Sequence, residues 1–219
     1  MCYNPTVSLL SFTVMAISTT YLFYRNYSND RWIAIIFASA GIMQLAEYFM
    51  WKDQSCGITN HLATKYAFFI GLIQPITVLI GAYYFGNLIF DKKHIIPVIW
   101  IYVIIFGIAG IEWTKYCSTK RLCSRPDGRH FDWNFENIFS SSPIMKIVSI
   151  LYYLVVLLCF MSRPWYTGTV IGTMLLGTLF FSVFFVKNST WKSWWCFVVN
   201  FIPVIYIIIS SIQKKQNES

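Results

Sequence analysis

The chain has 219 residues, of which 57% are hydrophobic and 12% charged, with a formal net charge of +8. A soluble domain carries roughly a quarter of its residues as charged side chains, so half that share excludes a water-soluble fold; the mean hydropathy of +0.56 agrees. The 17 basic residues are scattered through the polar segments without a dense run or an aromatic platform, which argues against nucleic acid and fits basic flanks of membrane helices.

A helix needs roughly 20 mostly apolar residues to cross a ~30 Å hydrocarbon core. Seven stretches qualify, in order 5–24, 32–51, 62–90, 95–113, 143–161, 166–186 and 194–212. The third is longer than a crossing requires, so it tilts or ends near Asn87. The short alternating segments of a membrane barrel are absent. The expected fold is therefore all-α: one polytopic domain over 1–219, a bundle of seven transmembrane helices. Segment 114–142 forms a long loop between helices 4 and 5. Trp32, Trp51, Trp113, Trp165, Trp191, Trp194 and Trp195 fall at span edges, where an interfacial belt is expected.

Charge sets the expected orientation. The first span has no basic leader and is followed by Arg25, so it reads as a retained helix with its N-terminus outside. The C-terminus is then inside. Short inner segments carry Arg25, Arg31, Lys92, Lys93, Arg163, Lys214 and Lys215; short outer ones carry Lys52, Lys187 and Lys192, with Lys65 just within a helix. Cys2, Cys56, Cys117, Cys123 and Cys196 fall on or near the outer side, with Cys159 near the inner one. One-sided cysteines fit an oxidising compartment. Cys56, Cys117 and Cys123 are disulfide candidates, either Cys117 with Cys123 or one of them with Cys56. Asn188 opens an outer glycosylation sequon.

Several polar residues lie within the spans. Gln44, Glu47 and Trp51 share one face of the second helix, with Glu47 roughly 6–8 Å below the outer boundary. A carboxylate there is costly unless neutral, paired or wet, and Lys65 enters the third helix at a similar depth as a candidate partner. Glu112 nears the outer edge of the fourth helix. Gln74 lies deeper, before Pro75, which frees a backbone carbonyl, and Asn200 lies on the seventh. Together these seven residues outline an outward-opening polar cavity for a small solute or ion. The alternative is a salt bridge with interhelical hydrogen bonds that hold the bundle together. Gly168 and Gly172 form a GxxxG on the sixth helix, read as close packing in the bundle. Cys117, Cys123 and His130 have poor zinc spacing, so no metal site is expected, and no cofactor is readable.

Met1-Cys2-Tyr3-Asn4 with Pro5 and Ser8, Gln44-x-x-Glu47-x-x-x-Trp51, Cys56 and Asn60, Gln74-Pro75, and Gly128-x-His130-Phe131-x-Trp133 resemble an uncharacterised seven-helix membrane protein family. Its members occur in giant DNA viruses, algae and other protists, with distant bacterial relatives. Tyr3 departs from the tryptophan of that pattern. The resemblance implies a shared fold and site, and residence in a host or virion membrane if the source is viral, but no activity. It draws attention to Cys2, whose thiol and amine would both be free once Met1 is removed.

The leading expectation is a multi-pass membrane protein whose partners are the bilayer and a small solute or ion. Its rivals are a membrane-embedded enzyme using Glu47 with Cys2 or His61, and a structural protein of a viral or host membrane. The space around Glu47 distinguishes them. A wet funnel reaching Gln74 favours transport, convergence of Cys2, His61 and Glu47 favours chemistry, and a dry Glu47–Lys65 pair favours structure.

Overall fold

The computed structural model describes residues 4–127, 130–133, 142–186 and 190–218. The expectations for Cys2, Asn188 and Gly128 lie outside them. Asn4 caps the first helix by accepting from Val7 N at 2.9 Å, with Pro5 at the first helical position. That helix, α1 (Pro5–Arg25), ends at Asn26, whose left-handed backbone lets its N–H reach Leu22 O. A tight turn leads to α2 (Asp30–Lys52), with Asp30 favourably placed in its first turn. Next come α3 (Ile58–Phe85) and α4 (Ile95–Thr119), then strands β1 (Arg125–Asp127) and β2 (His130–Asp132). These two strands pair antiparallel, with Pro126 opposite Phe131.

The fifth span begins as α5 (Pro143–Leu154) and continues as a 3-10 helix over Val155–Met161. Seven residues is long for that tighter geometry. The sixth span is α6 (Trp165–Phe185); the seventh is α7 (Trp191–Val199) and α8 (Ile202–Glu218), separated by a turn at Asn200 and Phe201. Among the described residues, seven helical spans are long and apolar enough to cross a membrane. The fold is an all-α seven-helix bundle, and the protein is a multi-pass membrane protein in contact with lipid.

More of α2 is buried than of any other span. It packs against α1, α3, α7 and α8, and most of α4 faces outward. Gly41 lets α1 approach α2, because a β-carbon there would strike the end of the Met15 side chain. Gly168 is needed more strictly. A β-carbon would stand 2.1 Å from Cys159 O, so the expected GxxxG face packs inside the bundle, against the 3-10 segment. The tryptophans correct the belt expectation in part. Trp165 is 73% exposed, but Trp32, Trp51, Trp113 and Trp195 are at most 8% exposed. They fill the bundle ends, and Trp32 Nε1 donates to Val78 O.

A polar knot closes the end opposite the hairpin. Arg25 donates from Nε to Asp30 Oδ2 at 2.6 Å and from Nη2 to Oδ1 at 2.9 Å. Its remaining donors reach Ser210 and Ser211 on α8. Asn29 accepts from Asn87 N and donates to Arg163 O, tying two turns together beside it.

Candidate functional site

The hairpin end is built on Asp53 and Asn60. Asp53 follows α2 and accepts from Gly57 N, Asn60 N and the Ser55 hydroxyl, which caps α3. The bonds from Asn60 N, then Gly57 N and Ser55, stabilise the carboxylate and lower its pKa from the ordinary aspartate value. Cys56, with φ of 61°, turns the chain here. Cys56 and Cys123 form a disulfide with Cα atoms 5.3 Å apart. Of the three candidate cysteines, Cys117 is the one left over: it is a buried free thiol on α4, facing the bundle rather than the loop.

Next to the disulfide, the fully buried Asn60 amide grips the backbone of Ser124. Its Oδ1 accepts from Ser124 N at 2.9 Å and its Nδ2 donates to Ser124 O at 2.9 Å. The Thr64 hydroxyl donates to Ser124 Oγ at 2.8 Å, and Leu122 N donates to His61 Nδ1. His61 is thus part of this clamp, and among the described residues no hydrogen bond joins it to Glu47.

Held there, the hairpin directs Phe131 and Trp133 into the bundle. Two residues apart on an extended segment, they point the same way. Phe131 is fully buried against the Trp51 ring, with centroids 4.5 Å apart. Trp133 Nε1 donates to Glu47 Oε1 at 3.0 Å, and Gln44 Nε2 donates to Glu47 Oε2 at 3.1 Å. Glu47 is fully buried, and its expected pairing with Lys65 is not made. Lys65 is half-buried on a different face of α3, where its carbonyl accepts from Trp113 Nε1.

Trp133 also forms one wall of a cavity of about 300 Å³, bounded by α2, α3, α5 and α7. Its walls are mostly apolar and rich in aromatic rings, with Phe68, Tyr152, Tyr153, Trp191 and Trp195 contributing, and among the described residues Lys192 is the one charged side chain that lines it. Gly71 also lines it, and a β-carbon there would touch nothing within 4 Å. Pro75 has no N–H to give the Gly71 carbonyl. Gln74 and Tyr152 close the deep end. The Tyr152 hydroxyl donates to Gln74 Oε1, and Gln74 Nε2 donates to Ser39 O at 3.0 Å. Beyond them lies a second space of about 60 Å³, which shares Gln74, Tyr152, Trp195 and Cys196 with the first.

Of the seven residues expected around a polar cavity, Gln74 lines this one. Glu47 holds its Trp133 wall from behind, with Gln44 bonded to Glu47 and Trp51 packed on Phe131. Lys65 lies on the α3/α4 side. Glu112 accepts from the Ser142 hydroxyl at 2.5 Å, joining α4 to the start of α5. Asn200 donates to Ser11 Oγ and to Cys196 O, joining the seventh span to α1. Sequence reasoning did not place Trp133, Tyr152 and Gly71 in a site. The signal available was two aromatic residues at strand spacing inside an otherwise polar loop. Among the described residues, no three His, Cys, Asp or Glu side chains converge to hold a metal.

No protein-family model matches this chain, and no curated protein or solved structure shows significant similarity to it.

Proposed function

We propose that this membrane protein binds a small, mainly apolar solute in the aromatic cavity beside Trp133, entered from the face that carries the hairpin. The observation that carries the reading is the cavity itself: about 300 Å³, at the lower end of the size of small-molecule sites. A few polar groups on aromatic walls are what such sites use to orient a ligand, and here Lys192, Ser149 and the Gly71 carbonyl supply them. Glu47 serves as a positioning residue for Trp133 rather than as a ligand for the solute. The same proposal places the hairpin face and the N-terminus outside, and the C-terminus inside. Its support is the basic inner flanks together with a disulfide on the hairpin side.

Gly71→Leu tests the cavity. The added side chain enters open space, so the protein should fold with an unchanged or raised melting temperature. In lipid nanodiscs, 4-bromophenol should quench tryptophan fluorescence of the wild type with a saturable component, and that component should vanish in Gly71→Leu. Linear quenching, identical in both proteins, would sink the cavity reading. A reporter fused after Ser219 should be shielded from external protease in sealed cells; digestion would reverse the orientation.

A further inference from the structure

A second concavity lies on the lipid-facing surface, away from the aromatic cavity. It is a groove of about 500 Å³ between α3 and α4, walled by Phe69, Leu72 and Ile76 on one side and Phe106, Gly110 and Ile111 on the other. Two features say what fills it. First, it is apolar and lies on helices that cross the bilayer, with Ile73 and Ile111 54% and 59% exposed. On α4 it runs from Val103 to Lys115, a rise of roughly 18 Å, which matches half of a ~30 Å hydrocarbon core. That is the depth of one acyl chain in one leaflet.

Second, its hairpin end is basic. Lys115 lines the groove there and is exposed. Lys65 precedes Phe69, Leu72 and Ile76 by four, seven and eleven residues, so it lies on the same face of α3, one turn nearer the interface. Among the described residues, neither lysine takes part in a salt bridge and no carboxylate lines the groove. Glu112, one turn away, is turned toward Ser142. Gly107 keeps the groove deep, since a β-carbon there would meet nothing within 4 Å.

We infer that this groove holds an anionic phospholipid of the hairpin-side leaflet, with an acyl chain between α3 and α4 and its phosphate between Lys65 and Lys115. The site gives Lys65 a partner outside the bundle, and it does not depend on what the aromatic cavity binds. The test uses the full chain in detergent, stripped of its native lipid. Phosphatidylglycerol and phosphatidylcholine with identical acyl chains are added, and the bound lipid is counted by native mass spectrometry.

The wild type should retain phosphatidylglycerol over phosphatidylcholine, by about five-fold for each lysine near the headgroup. Lys65→Gln combined with Lys115→Gln should bring the ratio to unity, and Lys65→Glu with Lys115→Glu should reverse it. Gly107→Phe should lower retention of both lipids. Lys120→Gln, an exposed charge off the groove, should change nothing. Equal retention by the wild type would overturn the inference, as would a preference that survives loss of both lysines. Unchanged lipid binding in Gly107→Phe would overturn it as well.

Discussion

Trp133 Nε1 donates to Glu47 Oε1 across 86 residues of sequence, so a loop residue completes the interior of a helix bundle. The carboxylate that looked costly within the span is buried and accepts from the Trp133 indole and the Gln44 amide. Replacing Glu47 with leucine removes the acceptor that the Trp133 indole and the Gln44 amide share. We expect a loss of about 1–3 kcal/mol, while Glu47→Gln, which keeps one acceptor oxygen, loses clearly less. Thermal unfolding in detergent measures both, and equal losses would show that the indole bond contributes nothing.

The Asn60–Ser124 clamp should be among the most sensitive points of the fold. Asn60→Ala takes the amide donor from Ser124 O and leaves Ser124 N with its longer bond to Thr64 Oγ1 at 3.2 Å; an unsatisfied buried group costs about 1–3 kcal/mol. Asn60→Asp keeps the acceptor but not the donor, so it should fall between wild type and alanine. If alanine and aspartate melt together, the donor half of the clamp has no energetic weight.

Cys56→Ser, Cys123→Ser and the double variant should lose the same stability, typically ~2–4 kcal/mol for a native disulfide. Reductant should bring the wild type to their level. Peptide mapping without reduction should recover Cys56 linked to Cys123, with Cys117 alkylated after unfolding. A linkage through Cys117 would contradict the arrangement at the hairpin end.

Asp53 makes the fold sensitive to acid. Its pKa is lower in the folded protein because Asn60 N, Gly57 N and Ser55 bond to its charged form. The sign follows: the stabilisation is fully present above the unfolded value, ~3.9, and is lost as pH falls through the lower folded one. Melting temperatures of wild type and Asp53→Asn should therefore lie apart at neutral pH and converge in acid. Parallel curves down to the acid limit would assign the cap no such role.

At the far end, Asp30 is fully buried and the Arg25 side chain is 16% exposed. Asp30→Ala should cost ~3 kcal/mol, the lower part of the range for breaking one side of a buried pair. Arg25→Lys keeps the charge but loses the fork that serves Asp30 and Ser210 together. It should destabilise measurably, and a melting temperature equal to wild type would contradict that geometry.

The seven spans were legible because a bilayer crossing demands an apolar run of fixed length, whatever the helices do with each other. The face shared by Gln44, Glu47 and Trp51 was legible for the same kind of reason, since helical period alone sets it. Lys65 was misplaced because depth along a helix says nothing about azimuth. Asn60, Thr64 and Ala67 face inward on α3, and residue 65 is turned about 100° from residue 64. The partner of Trp133 was out of reach because a short hairpin has no period long enough to reveal which way its side chains turn. The buried tryptophans were misread because hydropathy treats a ring at the interface and a ring inside the bundle alike.

Cys56 precedes α3 and Cys123 follows α4, so the two thiols lie on one side of the bilayer when both intervening helices cross it. A chain in which one of them failed to insert would strand the cysteines in different compartments. The bond is therefore closed to a chain in which one of the two crosses without the other. Trp133, which follows four spans in the chain, reaches the carboxylate on the second from that same side.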